Sequence, residues 1–203
     1  MKTESKQLME TLIEQISHWN YIKPDELPNI DLYMDQVTTF MDARLGSLKR
    51  HPEDKVLTKT MINNYAKNNL LPPPEKKKYS KEHMLVLTFI YYLKSILSIS
   101  DVQTLLHPLT TRFFSEHDGI TLQSIYNEVL QMERSQSDMV AKDLHRKLEV
   151  AETTFTDAPD ADREFLQLFS FICTLSYDVY IKKQLIERLI DDMAIPEETE
   201  DAH

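Results

Sequence analysis

Only two glycines, Gly46 and Gly119, occur in 203 residues. Glycine reaches left-handed backbone without steric cost, so so few of them argue against Gly-rich phosphate loops and against many tight β-turns. The expected chain is therefore mainly α-helical. The apolar residues, 41% of the sequence, are enough to bury a core and recur at helical spacing. Leu8, Met9, Leu12, Ile13, Ile16 and Trp19 mark a first helix running to about Tyr21; its stripe needs a partner elsewhere, and the C-terminal bundle is the candidate. Met34, Val37, Phe40, Met41 and Leu45 mark a second, from about Asp31, with Asp35 and Asp42 in solvent. Residues 84–97 are apolar nearly all round, which predicts a helix buried from more than one side.

Between the second of these helices and the all-round apolar one lies a stretch whose order is informative. Thr58 is placed to cap a short helix striped by Met61, Ile62, Tyr65 and Leu70, leaving Lys59, Thr60, Asn63, Asn64 and Lys67 largely outward. Asn68-Asn69 supplies a left-handed stop, Pro72-Pro73-Pro74 forbids continuation, and Lys76-Lys77-Lys78-Tyr79 follows as a basic loop before Ser80 starts another helix.

That order resembles the winged helix-turn-helix domain of MerR-type transcription regulators. Thr58 matches the cap, Met61–Tyr65 the recognition helix (about 58–68), Asn69-Leu70-Leu71-Pro72 the stop, and Lys78-Tyr79-Ser80 the exit of a basic wing (74–80). Leu97-Ser98-Ile99-Ser100-Asp101-Val102 is similar to the closing turn, and Leu32–Val37 ahead of the unit is similar to an uncharacterised bacterial family carrying a MerR-like DNA-binding domain. The likeness covers about a quarter of the chain. It departs in carrying Asn63-Asn64 where the family has an Arg-Tyr pair, which turns a charged contact into an amide one. The loop also lacks an Asn-Gly turn, so it reads as a bend or, at most, a two-stranded wing around Pro74–Tyr79.

The resemblance implies sequence-selective binding of double-stranded DNA, and hence transcriptional regulation, through Thr58, Lys59, Thr60, Asn63, Asn64, Tyr65, Lys67, Lys76, Lys77, Lys78 and Tyr79. It also implies a homodimer and leaves room for a small-molecule or protein effector. The alternative is a non-enzymatic helical interaction or adaptor protein that keeps a winged-helix fold without binding DNA. Charge distribution favours the first reading: residues 44–83 hold 10 Lys+Arg against 4 Asp+Glu, a basic island in a chain of net charge −10.

Other constellations are weaker. His117 with Glu116 and Asp118 cannot converge on one ion, and Glu149/Glu152 or Asp191/Asp192 read as solvated helix faces, so no catalytic residue, metal site or cofactor is expected. The single cysteine, Cys173, excludes an internal disulfide framework and reads as a core thiol. Phe113, Phe114, Phe165, Phe169, Phe171, Tyr177 and Tyr180 read as core packing, or alternatively as the lining of an effector pocket. Asp101 predicts a short helix ending before Pro108, Ser135–Asp138 a kink or split in the helix that starts near Thr121, and 161–193 a last long helix. The expected organisation is an N-terminal helix and linker (1–29), the DNA-binding domain (30–107), a helical dimerisation or sensor region (108–195) and an acidic tail (196–203). With no apolar signal core, the chain reads as cytoplasmic.

Overall fold

A computed structural model of the protein describes residues 3–17, 22–115 and 119–194. In chain order its elements are α1 (Thr3–Ser17), β1 (Leu32–Tyr33), α2 (Met34–Leu45), α3 (Lys59–Lys67), β2 (Lys78–Tyr79), α4 (Lys81–Leu93), α5 (Ile99–Arg112), α6 (Leu122–Glu152) and α7 (Asp160–Ala194). The mainly helical expectation holds. The only sheet among the described residues is the antiparallel pair β1–β2, with Leu32 opposite Tyr79 and Tyr33 opposite Lys78. Among these residues no helix is long and apolar enough to cross a membrane.

The chain divides into two compact units, Ile22–Glu128 with Ile186–His203, and Met1–Tyr21 with Val129–Leu185. In the first, α2 contributes Val37, Met41 and Leu45, α3 contributes Ile62, and α5 contributes Val102 and Leu106 to the buried interior. Helix α4 is buried almost continuously from His83 to Thr88, as its all-round apolar sequence requires. Helices α2 and α5 start at reciprocal local caps. Ser98 Oγ accepts the Asp101 N–H at 3.1 Å while Asp101 Oδ2 accepts the Ser98 N–H at 3.2 Å, a reciprocal cap that begins α5. Tyr33 N–H reaches Gln36 Oε1 at 2.9 Å at the start of α2.

Two local expectations are corrected here. Helix α5 does not stop before Pro108 but carries it internally. The backbone donor that proline lacks costs one helical bond, while the Thr110 and Thr111 hydroxyls donate to the Leu106 and His107 carbonyls at 3.2 and 2.8 Å around it. Helix α6 is an unbroken 31 residues through Ser135–Asp138. There the Ser135 and Ser137 hydroxyls donate to carbonyls three residues back, at 2.6 and 2.9 Å, without diverting the backbone.

In the second unit α1 finds the expected C-terminal partner. Ile13 is buried with Leu148 and Ala151 of α6 and Phe171 of α7, flanked by Met9, Ala141, Leu144 and Leu175. Lys147 Nζ is shared by Asp143 and Asp178, tying α6 to α7, and Gln167 Nε2 donates to the Glu152 carbonyl at 2.7 Å. The remaining aromatic expectation fails. Of the residues grouped as one core, Phe165, Phe169, Tyr177 and Tyr180 are exposed, and so is Cys173, whereas Phe171 alone is buried and Phe113 and Phe114 lie half-buried in the other unit. Helix α7 is apolar on two faces, and only one of them is packed. Trp19, His117 and the acidic tail lie outside the described residues.

Candidate functional site

Helix α3 is built as its sequence dictates. Thr58 is extended, and its hydroxyl accepts the Met61 N–H at 3.1 Å, supplying a partner for one of the free donors of the first turn. At the other end Asn69 adopts φ 56°, the Leu70 N–H bonds the Tyr65 carbonyl at 2.9 Å, and the Asn69 N–H bonds the Ala66 carbonyl at 3.3 Å. This is a Schellman stop with asparagine in the place glycine usually takes. Gln103 of α5 donates to the Asn68 carbonyl at 2.9 Å, which fixes that end of the helix to its neighbour.

The faces of α3 separate cleanly. Ile62 and Tyr65 are buried, while Lys59, Thr60, Asn63, Asn64 and Lys67 are exposed. Two expected contact residues therefore move inward. Tyr65 is 8% exposed and Tyr79 2%, and burial raises the pKa of both phenols, so these rings support the surface rather than form it. The cause for Tyr65 is the 3.6-residue period that places it on the face of Ile62; for Tyr79 it is β alternation, which turns it opposite to Lys78.

The basic loop is a true hairpin turn. The Lys78 N–H bonds the Glu75 carbonyl at 2.8 Å, and Lys76 and Lys77 have φ of 47° and 66°. Positive φ at both central residues is the type I′ geometry that favours Asn-Gly. Here two lysines occupy it, both exposed. The loop is anchored where β2 pairs with β1, and Lys78 Nζ lies 5.4 Å from the centre of the Tyr33 ring. Two residues after Tyr33, Asp35 in the first turn of α2 pairs with Lys59 of α3. The base of the lysine turn and the N-terminus of α3 are thus both tied to one end of α2. Tyr33, Asp35 and Gln103 had no signal in the sequence, since each works through a partner more than 20 positions away.

Behind the turn sits His83, 4% exposed, stacked edge-on against Tyr79 (5.4 Å) and Phe114 (4.7 Å). Its Nδ1 accepts the Ser80 N–H at 3.0 Å, so the ring proton belongs on Nε2, which is buried without a hydrogen-bond partner. Burial holds its pKa below the ordinary value, against the opposing pull of the Pro73 and Pro72 carbonyls and the charges of Glu82 and Asp31. Nearby, Glu82, Phe113, Phe114, Thr121, Leu122 and Gln123 line a cavity of about 260 Å³. Among the described residues no cluster of three or more His, Cys, Asp or Glu is arranged to hold a metal ion.

Residues 22–129 match the family described as Domain of unknown function (DUF1836). The chain belongs to that family. The matched segment begins at the same residue as the first structural unit, Ile22–Glu128, and ends within one residue of it, so the family's defining region contains α2 to α5, the lysine turn and the β1–β2 pair. No curated protein and no solved structure matches the chain.

Proposed function

We propose that residues 22–129 form a winged helix-turn-helix unit that binds double-stranded DNA, and that the protein is a sequence-selective transcriptional regulator without enzymatic activity. In this reading α3 is the recognition helix and the hairpin at Glu75–Lys78 is the wing. The observation that carries it is the open polar face of α3, with Asn63 and Asn64 exposed on a capped helix whose N-terminus shares its anchorage with a turn presenting two lysines. A face meant only for solvent has no need of that turn, which places L-residues where glycine and asparagine fit better. The local excess of basic residues supports the same reading, and the MerR-like order of the motifs agrees with it.

The roles divide by chemistry. Lys76 and Lys77, with Lys67 and Thr60, would meet the phosphate backbone, where each neutralised phosphate releases condensed counterion and sequence is not read. Asn63 and Asn64 would meet base edges, where an amide pairs bidentately with adenine for about 1–3 kcal/mol of discrimination. The test is a pair of double variants titrated against selected and random duplexes over a salt series. Lys76→Ala/Lys77→Ala should weaken binding to every duplex and lower the salt slope by about 1.8, at about 0.9 per phosphate. Asn63→Ala/Asn64→Ala should keep the slope and lose the preference between duplexes. Two variants indistinguishable from wild type would remove the assignment.

A further inference from the structure

His83 stands between the two ends of the lysine turn. Before the turn, the Pro72 and Pro73 carbonyls lie close enough to favour a charged ring, yet the buried Nε2 has no hydrogen-bond partner. After the turn, the His83 ring packs edge-on against Tyr79 of β2, and its Nδ1 accepts the N–H of Ser80, the residue that caps α4. Strand β2 is two residues long, so besides its pairing with β1 its exit is fixed by these two contacts. The residue type matters here. The usual partner for an N-cap N–H, three residues on, is Glu or Gln, whose side-chain oxygen accepts at every pH between about 5 and 8. An imidazole accepts only while Nδ1 is unprotonated.

We propose that His83 is an acid-sensitive latch on the lysine turn: a neutral ring holds the turn against the start of α4, and a protonated ring releases it. The latch rests on the DNA-binding reading only for its consequence, a loss of DNA affinity in acid. The proton goes to Nδ1, since the bond from the Ser80 N–H shows that this nitrogen carries the free lone pair. Two N–H groups then face each other. The Nδ1–H turns to Ser80 Oγ, already 3.0 Å away, and the Ser80 N–H loses its acceptor. Ser80 Oγ can accept because its own proton is given to Glu82 at 2.6 Å. The charges facing the ring are Glu82 of its own helix and Asp31 ahead of β1, and both favour the protonated form. Tyr79 of β2 is neutral, its phenol pKa raised by burial, and Phe114, just past α5, brings no charge. Burial outweighs the two carboxylates while the latch is closed; opening admits water, so acid below pH 6.5 favours the open turn. Phe114 also lines the cavity of about 260 Å³ with Glu82, so one wall of the histidine's enclosure borders open space.

Hydrogen exchange of the full chain reads the latch directly. Between about pH 7.5 and 5.5, after correction for intrinsic rates, the amides of Lys78 and Ser80 should lose protection about tenfold, while those of Leu87 and Ile90 inside α4 keep theirs. His83→Gln, whose amide oxygen still accepts the Ser80 N–H, should keep protection at both pH values. Over the same interval and at fixed salt, wild-type binding to a DNA duplex should weaken at least about threefold relative to His83→Gln. That ratio cancels the exposed His51 and His107, whose protonation raises affinity for DNA in both proteins. Unchanged protection at Ser80 in the wild type, or an equal loss in His83→Gln, overturns the latch, and the wild-type result stands whether or not the variant folds. Opening that leaves the affinity ratio at one overturns the link to DNA. If neither protein binds DNA at either pH, the DNA-binding reading fails and the exchange measurement still decides the latch.

Discussion

Replacing Lys76-Lys77 by Asn-Gly should make the protein more stable and a poorer DNA binder at the same time. The two lysines sit at φ 47° and 66°, where an L-residue with a Cβ costs roughly 1–2 kcal/mol relative to its preferred backbone. Asparagine tolerates that region and glycine enters it freely, though added glycine returns roughly 0.5–1 kcal/mol through the entropy of the unfolded chain. The net gain is about 1–2 kcal/mol, or about 3–8 °C in Tm for a unit of this size. The informative control is Lys76→Ala/Lys77→Ala, which removes the same charges and keeps the strain. Thermal melts should rank Asn-Gly above wild type and the alanine pair level with wild type, while DNA titrations should show the same loss of salt slope in both. If Asn-Gly melts no higher than Ala-Ala, the turn is not strained as argued. If Asn-Gly is more stable and binds DNA as wild type does, the lysines are not there for phosphate.

Three further outcomes follow from the same geometry. Thr58→Ala removes the acceptor for the Met61 N–H and should cost about 1 kcal/mol in urea unfolding, with Thr58→Ser restoring most of it. His83 has a folded pKa below its ordinary 6.5, so its contribution is complete above pH 6.5 and is lost as pH falls from there through the lowered folded value. Melts across that window should lose stability at up to about 1.4 kcal/mol per pH unit, and His83→Gln should flatten the slope there. Asp35→Asn releases Lys59 from its exposed ion pair and should steepen the salt dependence of DNA binding by about 0.9; an unchanged slope would place the α3 N-terminus away from phosphate.

What could be read in advance was local. The Thr58 cap, the Asn69 stop, the Ser98–Asp101 cap and the buried sides of α2 and α4 depend on residues three or four positions apart, and periodicity reports those directly. The two-residue strand β1 has too few residues for any period to show, so its pairing with Lys78-Tyr79 was invisible, and with it the conversion of a basic bend into a hairpin. Pro108 reads as a stop because its lost bond is certain, whereas α5 runs through it to Arg112 in a fold that buries Val102 and Leu106. Helix α7 shows the same limit from another side. Its sequence says that Phe165, Phe169, Phe171 and Cys173 belong to an apolar helix, but not which of its faces the rest of the chain covers.

The central claim is that the open face of α3 and the lysine turn take DNA, and wild-type protein tests it without any substitution. The measurement is fluorescence anisotropy of labelled duplexes, one enriched by repeated selection on the protein and one random, titrated from low to physiological salt. The account predicts binding to both at low salt, a log-log salt slope of magnitude about 2 or more from Lys76, Lys77 and their neighbours, and a preference for the enriched duplex that persists as salt rises. Failure to bind either duplex at low salt would contradict it and leave a helical interaction protein in its place.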